Sequence, residues 1–499
     1  MPETLVMEVT NFLFSILLIL PVFYLILKHF KDSKCPPIPP GPFSWPILGN
    51  LLQIGDNPLA TLTEFGQTYG PLFSIKLGSQ RVVVASSSTA AMEILKTQDR
   101  LLSGRFVPHV APAKSPKLNN LSLGWSFECN ESWKYLRTVC RMQLFAGRTI
   151  ENQSCLREER VMKMVKYIVS MEGKPVKIRD IAFAMTFNML GNILLSRDLI
   201  NFEQESDDGG MSGVLRTIME VAIQPNISDF YPFLGPFDLQ GLRKKSMEIY
   251  HKLCAIFEAI TKERREKKSG DIPSQQDFLD ALISIGSSND QINFLLIELI
   301  TAGTDTSSST IEWTLTELIK NPKCMKIVKA ELAREIVDQD MVRESHLPKL
   351  PYLQACVKET LRLHPPAPFL LPHRAVESCQ VLNYTIPKDS QLLVNVWAIG
   401  RDPMYWKDPL TFKPERFLES SLDFKGNDFE FLPFGAGRRI CPGLPMAAKH
   451  VPLVVASLIH FLDWSLPYGK DPLDMNMSEK YGITLIKEEP LILIPKVKS

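Results

Sequence analysis

Phe434-Gly435-Ala436-Gly437-Arg438-Arg439-Ile440-Cys441-Pro442-Gly443 decides the reading of this chain. Its glycines free the backbone to fold tightly around a single thiol. Arg438 and Arg439 bring positive charge close in sequence, and an apolar, helix-like stretch from Leu444 to Leu462 follows, with Pro442 expected at its first helical position. A cysteine beside cations and just ahead of a helix is expected to be a thiolate at neutral pH. Such a thiolate suits the axial position of haem iron, where it pushes electron density toward dioxygen and favours O–O cleavage. An isolated cysteine is more often a small buried hydrophobe. The patterned surroundings set this one apart.

Composition bounds the rest. The 499 residues carry a formal net charge of +1 and are 45% apolar, which allows a large core and gives no sign of nucleic-acid binding. The densest charge run, Lys262 to Lys268, mixes signs and reads as a solvated helix end. Nine cysteines without paired spacing point to a reducing compartment.

Val9 to Leu27 holds no charged residue. As a helix it would span roughly 28 Å, close to the hydrocarbon core of a bilayer. Pro21 would kink it, which membrane helices tolerate. No small-residue cleavage site follows, so residues 1–34 read as a transmembrane signal-anchor with a basic flank of Lys28, Lys31 and Lys34. The positive-inside bias places the remainder in the cytosol. The Asn-x-Ser/Thr triplets at Asn120, Asn130, Asn152, Asn226, Asn383 and Asn476 are then expected to stay unglycosylated. Residues 35–44, rich in proline, read as a stiff extended linker.

From residue 45 to 499 there is no second linker, no repeat and no low-complexity tract. Alternation predicts strands over Leu72–Leu77 and Arg81–Ala85, joined at Gly78-Ser79. Further extended pieces are expected over Gln391–Val396 and Tyr481–Ile494. Helical periodicity covers most other segments, including Thr61–Tyr69, Thr89–Thr97, Glu131–Leu144, Arg157–Met171, Ile181–Leu194, Met247–Lys267, Asp290–Lys320 and Tyr352–His364. The fold class is mainly α with a small β region, in one large domain.

The helix expected over Asp290–Lys320 carries Ala302-Gly303-Thr304-Asp305-Thr306-Ser307 at its middle. Ala302 and Thr306 are four apart and share a face. The small residues Ala302 and Gly303 would leave room for a flat macrocycle and a small ligand. Gly303 weakens the helix by about 1 kcal/mol, so a water-filled groove is expected there. The Thr306 hydroxyl and the Asp305 carboxylate are the ingredients of a proton-delivery pair. Trp133 and Arg137, at i and i+4, present an indole N–H and a guanidinium on one helix face, where both can hold a carboxylate.

The pattern F-x-x-G-x-R-x-C-x-G, filled at every fixed position by Phe434, Gly437, Arg439, Cys441 and Gly443, resembles that of the cytochrome P-450 superfamily, and the likeness extends along nearly the whole chain. It implies that fold over residues 45–499, with Cys441 ligating the iron of haem b (iron protoporphyrin IX). It also implies electrons from NADPH through a flavoprotein reductase, and a small apolar or aromatic organic substrate. Trp133 and Arg137 match the element that holds a haem propionate; Arg439 and His373 match further propionate contacts. Phe434 matches the aromatic position of the haem-binding loop, and Ala302 the residue facing the macrocycle. Asp305 and Thr306 match the acid–alcohol pair, which members that isomerise hydroperoxides without O₂ typically lack. Glu359, Arg362 and Arg416, the last in Pro414-Glu415-Arg416-Phe417, match a structural ion triad. Residues 35–44 resemble the hinge of microsomal members, implying a single-pass protein of the endoplasmic reticulum membrane.

Longer stretches place the chain near the plant microsomal type. Val381 to Lys388, the run on to Phe417, and the tail Pro495-Lys496-Val497-Lys498 are similar to two neighbouring groups. One oxidises alkaloids and includes N-methylcoclaurine hydroxylase, corytuberine synthase and littorine mutase. The other oxidises monoterpenols and diterpenes. Ser87–Arg105 and Phe230–Leu239 are more similar to the alkaloid group. The resemblance implies that substrate-facing residues come from Phe106–Gly124, Met211–Phe233, Leu295–Thr306, Ala367–Leu371 and Ser478–Leu485. Phe106, Phe369, Leu370 and Ile483 there suit an aromatic amine or ester, and equally a terpene. No carboxylate in these segments stands out as a partner for a protonated amine. Hydroxylation, coupling and rearrangement all stay open, as do an O₂-independent haem isomerase and a non-catalytic haem binder.

Overall fold

The computed structural model describes residues 36–200, 211–267, 277–337 and 341–498. The apolar span Val9–Leu27 lies outside the described residues. Two other helices, Ile178–Leu195 and Leu444–Phe461, are long and apolar enough to cross a membrane, but both are largely buried inside the fold.

The periodicities translate into helices with identifiable ends. Asn130 caps Glu131–Gln143 by accepting from the Trp133 amide at 2.9 Å. Ser288 and Gln291 form a capping box at the head of Asn289–Lys320, the longest described helix. This helix runs through the centre. Its first half packs in an apolar cluster with Phe187, Leu190 and Leu194 of Ile178–Leu195 and with Phe257 of Leu242–Lys267. Its second half shares a larger cluster with Ser154–Ser170, Pro322–Glu335, Pro351–Leu363 and Leu444–Phe461. Mutual burial of these apolar faces, at about 25 cal/mol per Å² removed from water, is the main driving force for this arrangement.

Two local expectations change. The helix starting at Ser88 is α-helical only to Met92 and widens into a π-helix over Glu93–Thr97. Pro442 lies ahead of the helix it was expected to open. Gly443 is the N-cap of Leu444–Phe461, and Pro445 takes a position in the first turn, where its missing N–H costs nothing. Pro452 sits inside the same helix, which runs on through it to Phe461.

The β part stands to one side. Its main sheet has the order Leu72–Leu77, Gln80–Ala85, Gln391–Val394, His373–Arg374, Gly104–Arg105. Only the pairing of Gln80–Ala85 with Gln391–Val394 is parallel. The expected strand to Val396 stops at Val394, because Asn395 caps the short helix Val396–Ile399. The last two strands set Arg105 opposite His373. The proline-rich segment is stapled to the domain. Pro36 and Pro37 carbonyls accept from Thr385, and Pro39 and Pro40 carbonyls accept from Ser74. Gly41 passes so close that a Cβ would sit 1.8 Å from the Ser74 carbonyl oxygen, so this position needs glycine.

Candidate active site

The cysteine loop is closed by the Cys441 N–H, which donates to the Phe434 carbonyl at 3.0 Å. Phe434 packs edge-on against Phe424, with ring centroids 5.3 Å apart. Gly437 has φ +66° and lies so close to Leu95 that a Cβ would meet its carbonyl oxygen at 1.8 Å, so only glycine fits. The expected electrostatics differ in the structure. Arg438 turns away to Asp99 at 3.1 Å. Arg439 donates to the Ser103 and Ser126 carbonyls at 3.0 and 2.7 Å. Burial therefore raises the Cys441 thiol pKa, and the backbone N–H groups of Gly443 and Leu444 with the Arg137 charge only partly offset it. The neighbouring cations do not make this thiol a thiolate; coordination to a metal would, since a ligating thiol is deprotonated outright.

Above the loop, Arg105, Arg137 and Arg439 converge with His373. Arg439 stacks over the Trp133 ring at 4.7 Å and Arg137 at 6.0 Å. The Trp133 indole N–H donates to the Leu123 carbonyl at 3.0 Å, so Trp133 enters as a platform for cations, not as a free donor. Arg137 also donates to the Ile440 carbonyl, tying its helix to the cysteine loop. His373 is buried, with Nδ1 bonded to the Leu102 carbonyl at 2.8 Å. Its pKa is held well below the ordinary value, first by burial and then by Arg105. Arg105 is buried and donates to the Gly124 and Leu371 carbonyls at 3.2 and 2.7 Å.

None of these three arginines has a salt bridge among the described residues, and Nη1 of Arg439 is a buried donor with no partner. Burial pushes the Arg439 pKa down to about 10. Three desolvated cations and an orphaned donor call for carboxylates, which is what the two propionates of haem bring. Among the described residues no three His, Cys, Asp or Glu side chains are grouped to hold a metal. One thiol facing a propionate cradle instead suits an iron that arrives in its own macrocycle.

On the long helix, Ala302 is exposed and Thr306 partly so, although the residues from Ser307 to Leu318 are buried. Thr306 Oγ1 donates back to the Ala302 carbonyl at 2.7 Å. Gly303 does not join this open face. A Cβ there would lie 2.9 Å from Leu190 Cδ1, so the glycine serves close packing with Ile178–Leu195. The helix assignment is continuous through Gly303. Asp305 is buried and bonded to Arg179 at 2.7 Å. Acid and alcohol are therefore adjacent in sequence but directed differently.

The scaffold triad forms as expected. Arg362 makes two bonds of 2.8 Å to the Glu359 carboxylate, Arg416 adds a third at 3.0 Å, and both Arg362 and Glu359 are fully buried. Arg362 also donates to the Gly400 and Pro409 carbonyls. Leu370, at φ +56°, is a strained residue of the Ala367–Leu371 segment and packs against Gly435 of the cysteine loop.

Sequence reasoning missed two residues. Arg105 carries no motif; only its strand pairing with His373 brings it to the cluster. Glu298 has no sequence motif either. It accepts from the Ser122 hydroxyl and the Leu123 and Gly124 amides. Burial, only partly offset by these bonds, pushes its pKa up to about 7.

The cysteine loop, the buried arginines tied to it and a long helix exposed at Ala302 are the elements of the candidate site. The cytochrome P450 family model matches residues 39–494, and the chain belongs to that family. It is 49% identical over 471 residues to (S)-N-methylcoclaurine 3'-hydroxylase isozyme 1 of Papaver somniferum, an alignment covering 94% of this chain and 97% of that protein. It is 44% identical to corytuberine synthase of Coptis japonica, across 99% of this chain and 100% of that one. With berbamunine synthase of Berberis stolonifera the identity is 39%, across 97% and 98%. The chain is thus a cytochrome P450 monooxygenase that works with haem iron, an organic substrate and electrons from a reductase.

Proposed function

We propose that this monooxygenase oxidises benzylisoquinoline alkaloids, hydroxylating or coupling their phenolic rings. One observation carries the reading: relatives aligned over 94–99% of the chain are named for such conversions. When bound, the haem supplies dioxygen activation. In this reading Cys441 would hold the iron, and Arg105, Arg137, Arg439 and His373 would hold the propionates, with Trp133 stacked on two of the arginines. Thr306, with its hydroxyl on the open face, hands on the proton. Asp305, next in sequence and buried, is bonded to Arg179, whose partly exposed side chain reaches solvent.

We also infer that residues 1–34 anchor the chain in the endoplasmic reticulum membrane, with residues 35–44 as the hinge and 45–499 as the cytosolic catalytic domain. Phe43, Trp45, Ile47 and Leu52 are exposed beside Phe233, Phe237 and Leu239, and the Tyr231 hydroxyl reaches the Ile47 carbonyl at 3.3 Å. Exposed apolar side chains next to the hinge suit a lipid surface. Arg141, Arg148 and Arg438, exposed on segments around the cysteine loop, offer cations to an acidic reductase face.

Microsomes containing the chain and a reductase test the substrate assignment against benzylisoquinolines, tropane esters and monoterpenols under ¹⁸O₂. NADPH-dependent product from the benzylisoquinolines is expected, with label retained where hydroxylation occurs. Turnover of terpenols alone would overturn the reading. Turnover without NADPH would point to an isomerase.

A further inference from the structure

Glu479–Lys480 and Ile486–Lys487 pair as a hairpin, and residues 481–485 join them. This loop belongs to a segment expected to face substrate, and it touches two others. Tyr481 packs edge-on against Phe369 with ring centroids 5.7 Å apart. A Cβ on Gly482 would lie 3.4 Å from Ile223 Cγ2. Tyr481 and Ile483 themselves are exposed. The two ends of the loop are held differently. At Leu485 the ties are neutral: its N–H donates to the Pro366 carbonyl at 2.8 Å, and its carbonyl accepts from Ser309 Oγ at 2.6 Å. At Glu479 they are ionic.

The Glu479 carboxylate accepts from Trp397 Nε1 at 2.7 Å and Arg401 Nη2 at 3.2 Å, and it meets His364 Nδ1 at 2.5 Å. His364 Nε2 meets Glu317 at 2.8 Å. Glu317 also accepts from Asn321 Nδ2 at 3.1 Å and lies on the long helix about three turns beyond Thr306. Both ring nitrogens of His364 therefore face carboxylate oxygens whose other partners are donors. A neutral imidazole has one N–H and one bare nitrogen, so it would set a lone pair against one of the two acids. The geometry requires a proton on each nitrogen. Stacking agrees: the His364 ring lies flat on Trp313, 3.8 Å away at 4°, where a cation is favoured. The charged groups around the ring are Glu317, Glu479 and Arg401, with Lys487 over the same indole at 5.4 Å. Burial opposes the imidazolium, and the two carboxylates outweigh it.

We propose that His364, as a buried imidazolium between Glu317 and Glu479, clamps the hairpin to the long helix and so sets where residues 481–485 meet the substrate. It is a positioning residue, acting through Glu479. The inference rests on the expectation that this loop faces substrate. It goes beyond the alkaloid reading, because the clamp serves any substrate lying against the loop.

The test compares the full-length haem protein with its His364→Gln variant, which removes the charge. In ¹⁵N-histidine-labelled wild type at pH 7, the ring-nitrogen signals missing from the variant are expected to show both nitrogens protonated. A neutral tautomer there would overturn the proposal. Hydrogen exchange over residues 478–487 is expected to be about tenfold or more faster in the variant, with residues 434–443 and the haem content unchanged. Unchanged exchange in the hairpin, or equal loosening of both regions, would also overturn it. The Kd of an N-methylated benzylisoquinoline, read from the substrate-induced spectral shift, is expected to rise about tenfold. An unchanged Kd beside a loosened hairpin would make His364 purely structural and defeat the positioning role. Should His364→Gln fail to load haem, Glu479→Gln takes its place, with loosening again expected in the hairpin alone and equal loosening of both regions contradicting the clamp. A wild-type chain that refuses the benzylisoquinoline, while the variant loosens only the hairpin, defeats the alkaloid reading and supports the clamp.

Discussion

The two sides of the site are built in different ways. The cysteine side is local: ten consecutive residues fix its backbone, and a buried ion triad sets the segment before it. The substrate side is assembled from pieces far apart in sequence, with the Gly124 amide donating to Glu298 and Leu371 close to Gly124. The first side tolerates little change because Gly437 packs against the Leu95 backbone and the loop is closed by a backbone bond from Cys441 to Phe434. The second is a set of side chains on loops and one helix face, where substitution alters fit before it alters folding. What holds the iron and what chooses the substrate are therefore separable.

The largest effect expected from that contrast is at Arg362. Arg362→Ala leaves Glu359 buried with only Arg416 and the Lys413 amide as donors and loses the ties to Gly400 and Pro409. Breaking such a pair costs about 3–5 kcal/mol. The purified variant should lack haem, and a normal haem-to-protein ratio would break the assignment of this triad. Gly437→Ala comes next. Its Cβ meets the Leu95 carbonyl, and the positive φ adds strain of about 1–3 kcal/mol. Reduced haem retention at ambient temperature is expected, with a lower melting temperature for whatever loads. An unchanged Tm would show that the loop can yield.

On the distal face, Thr306→Ala should leave haem content intact while product per NADPH consumed falls by about 10²-fold. Loss of haem instead would blur the division between the two sides.

The smallest effect concerns pH. His364 lies between Glu317 at 2.8 Å and Glu479 at 2.5 Å, stacked on Trp313. Burial lowers its pKa, but the bonds and charges of the two carboxylates prevail and raise it. With the folded value above the unfolded one of 6.5, the bridging contribution is complete below about 6.5 and is lost as pH climbs past the folded value. Glu479 opens the hairpin that carries Ser478–Leu485. Hydrogen exchange there, corrected for intrinsic rates, should quicken as pH rises through that range while the cysteine loop stays protected. Equal behaviour of the two regions would count against their independence.

The same contrast explains what the sequence made legible. The cysteine loop, the triad and the long helices follow from contiguous motifs and periodicity, so they could be read directly. The fate of each charge could not. Arg438 and Arg439 adjoin Cys441 in sequence, yet one goes to Asp99 and the other to backbone carbonyls. Gly303 looked like an opening and is a packing contact with Leu190. Arg105 needed a strand pairing, and Glu298 needed a loop brought from more than 170 residues away. Tertiary placement decides such residues, and no local pattern records it.

The proposed sulfur–iron bond of Cys441 underlies the other site assignments. The direct measurement is the absorption spectrum of the purified, dithionite-reduced chain before and after carbon monoxide, taken beside Cys441→Ala. The wild type should show the strongly red-shifted Soret band of thiolate-ligated haem, and the variant should not. A wild-type band at the position of nitrogen-ligated haem, or the red-shifted band persisting without this cysteine, would contradict the account.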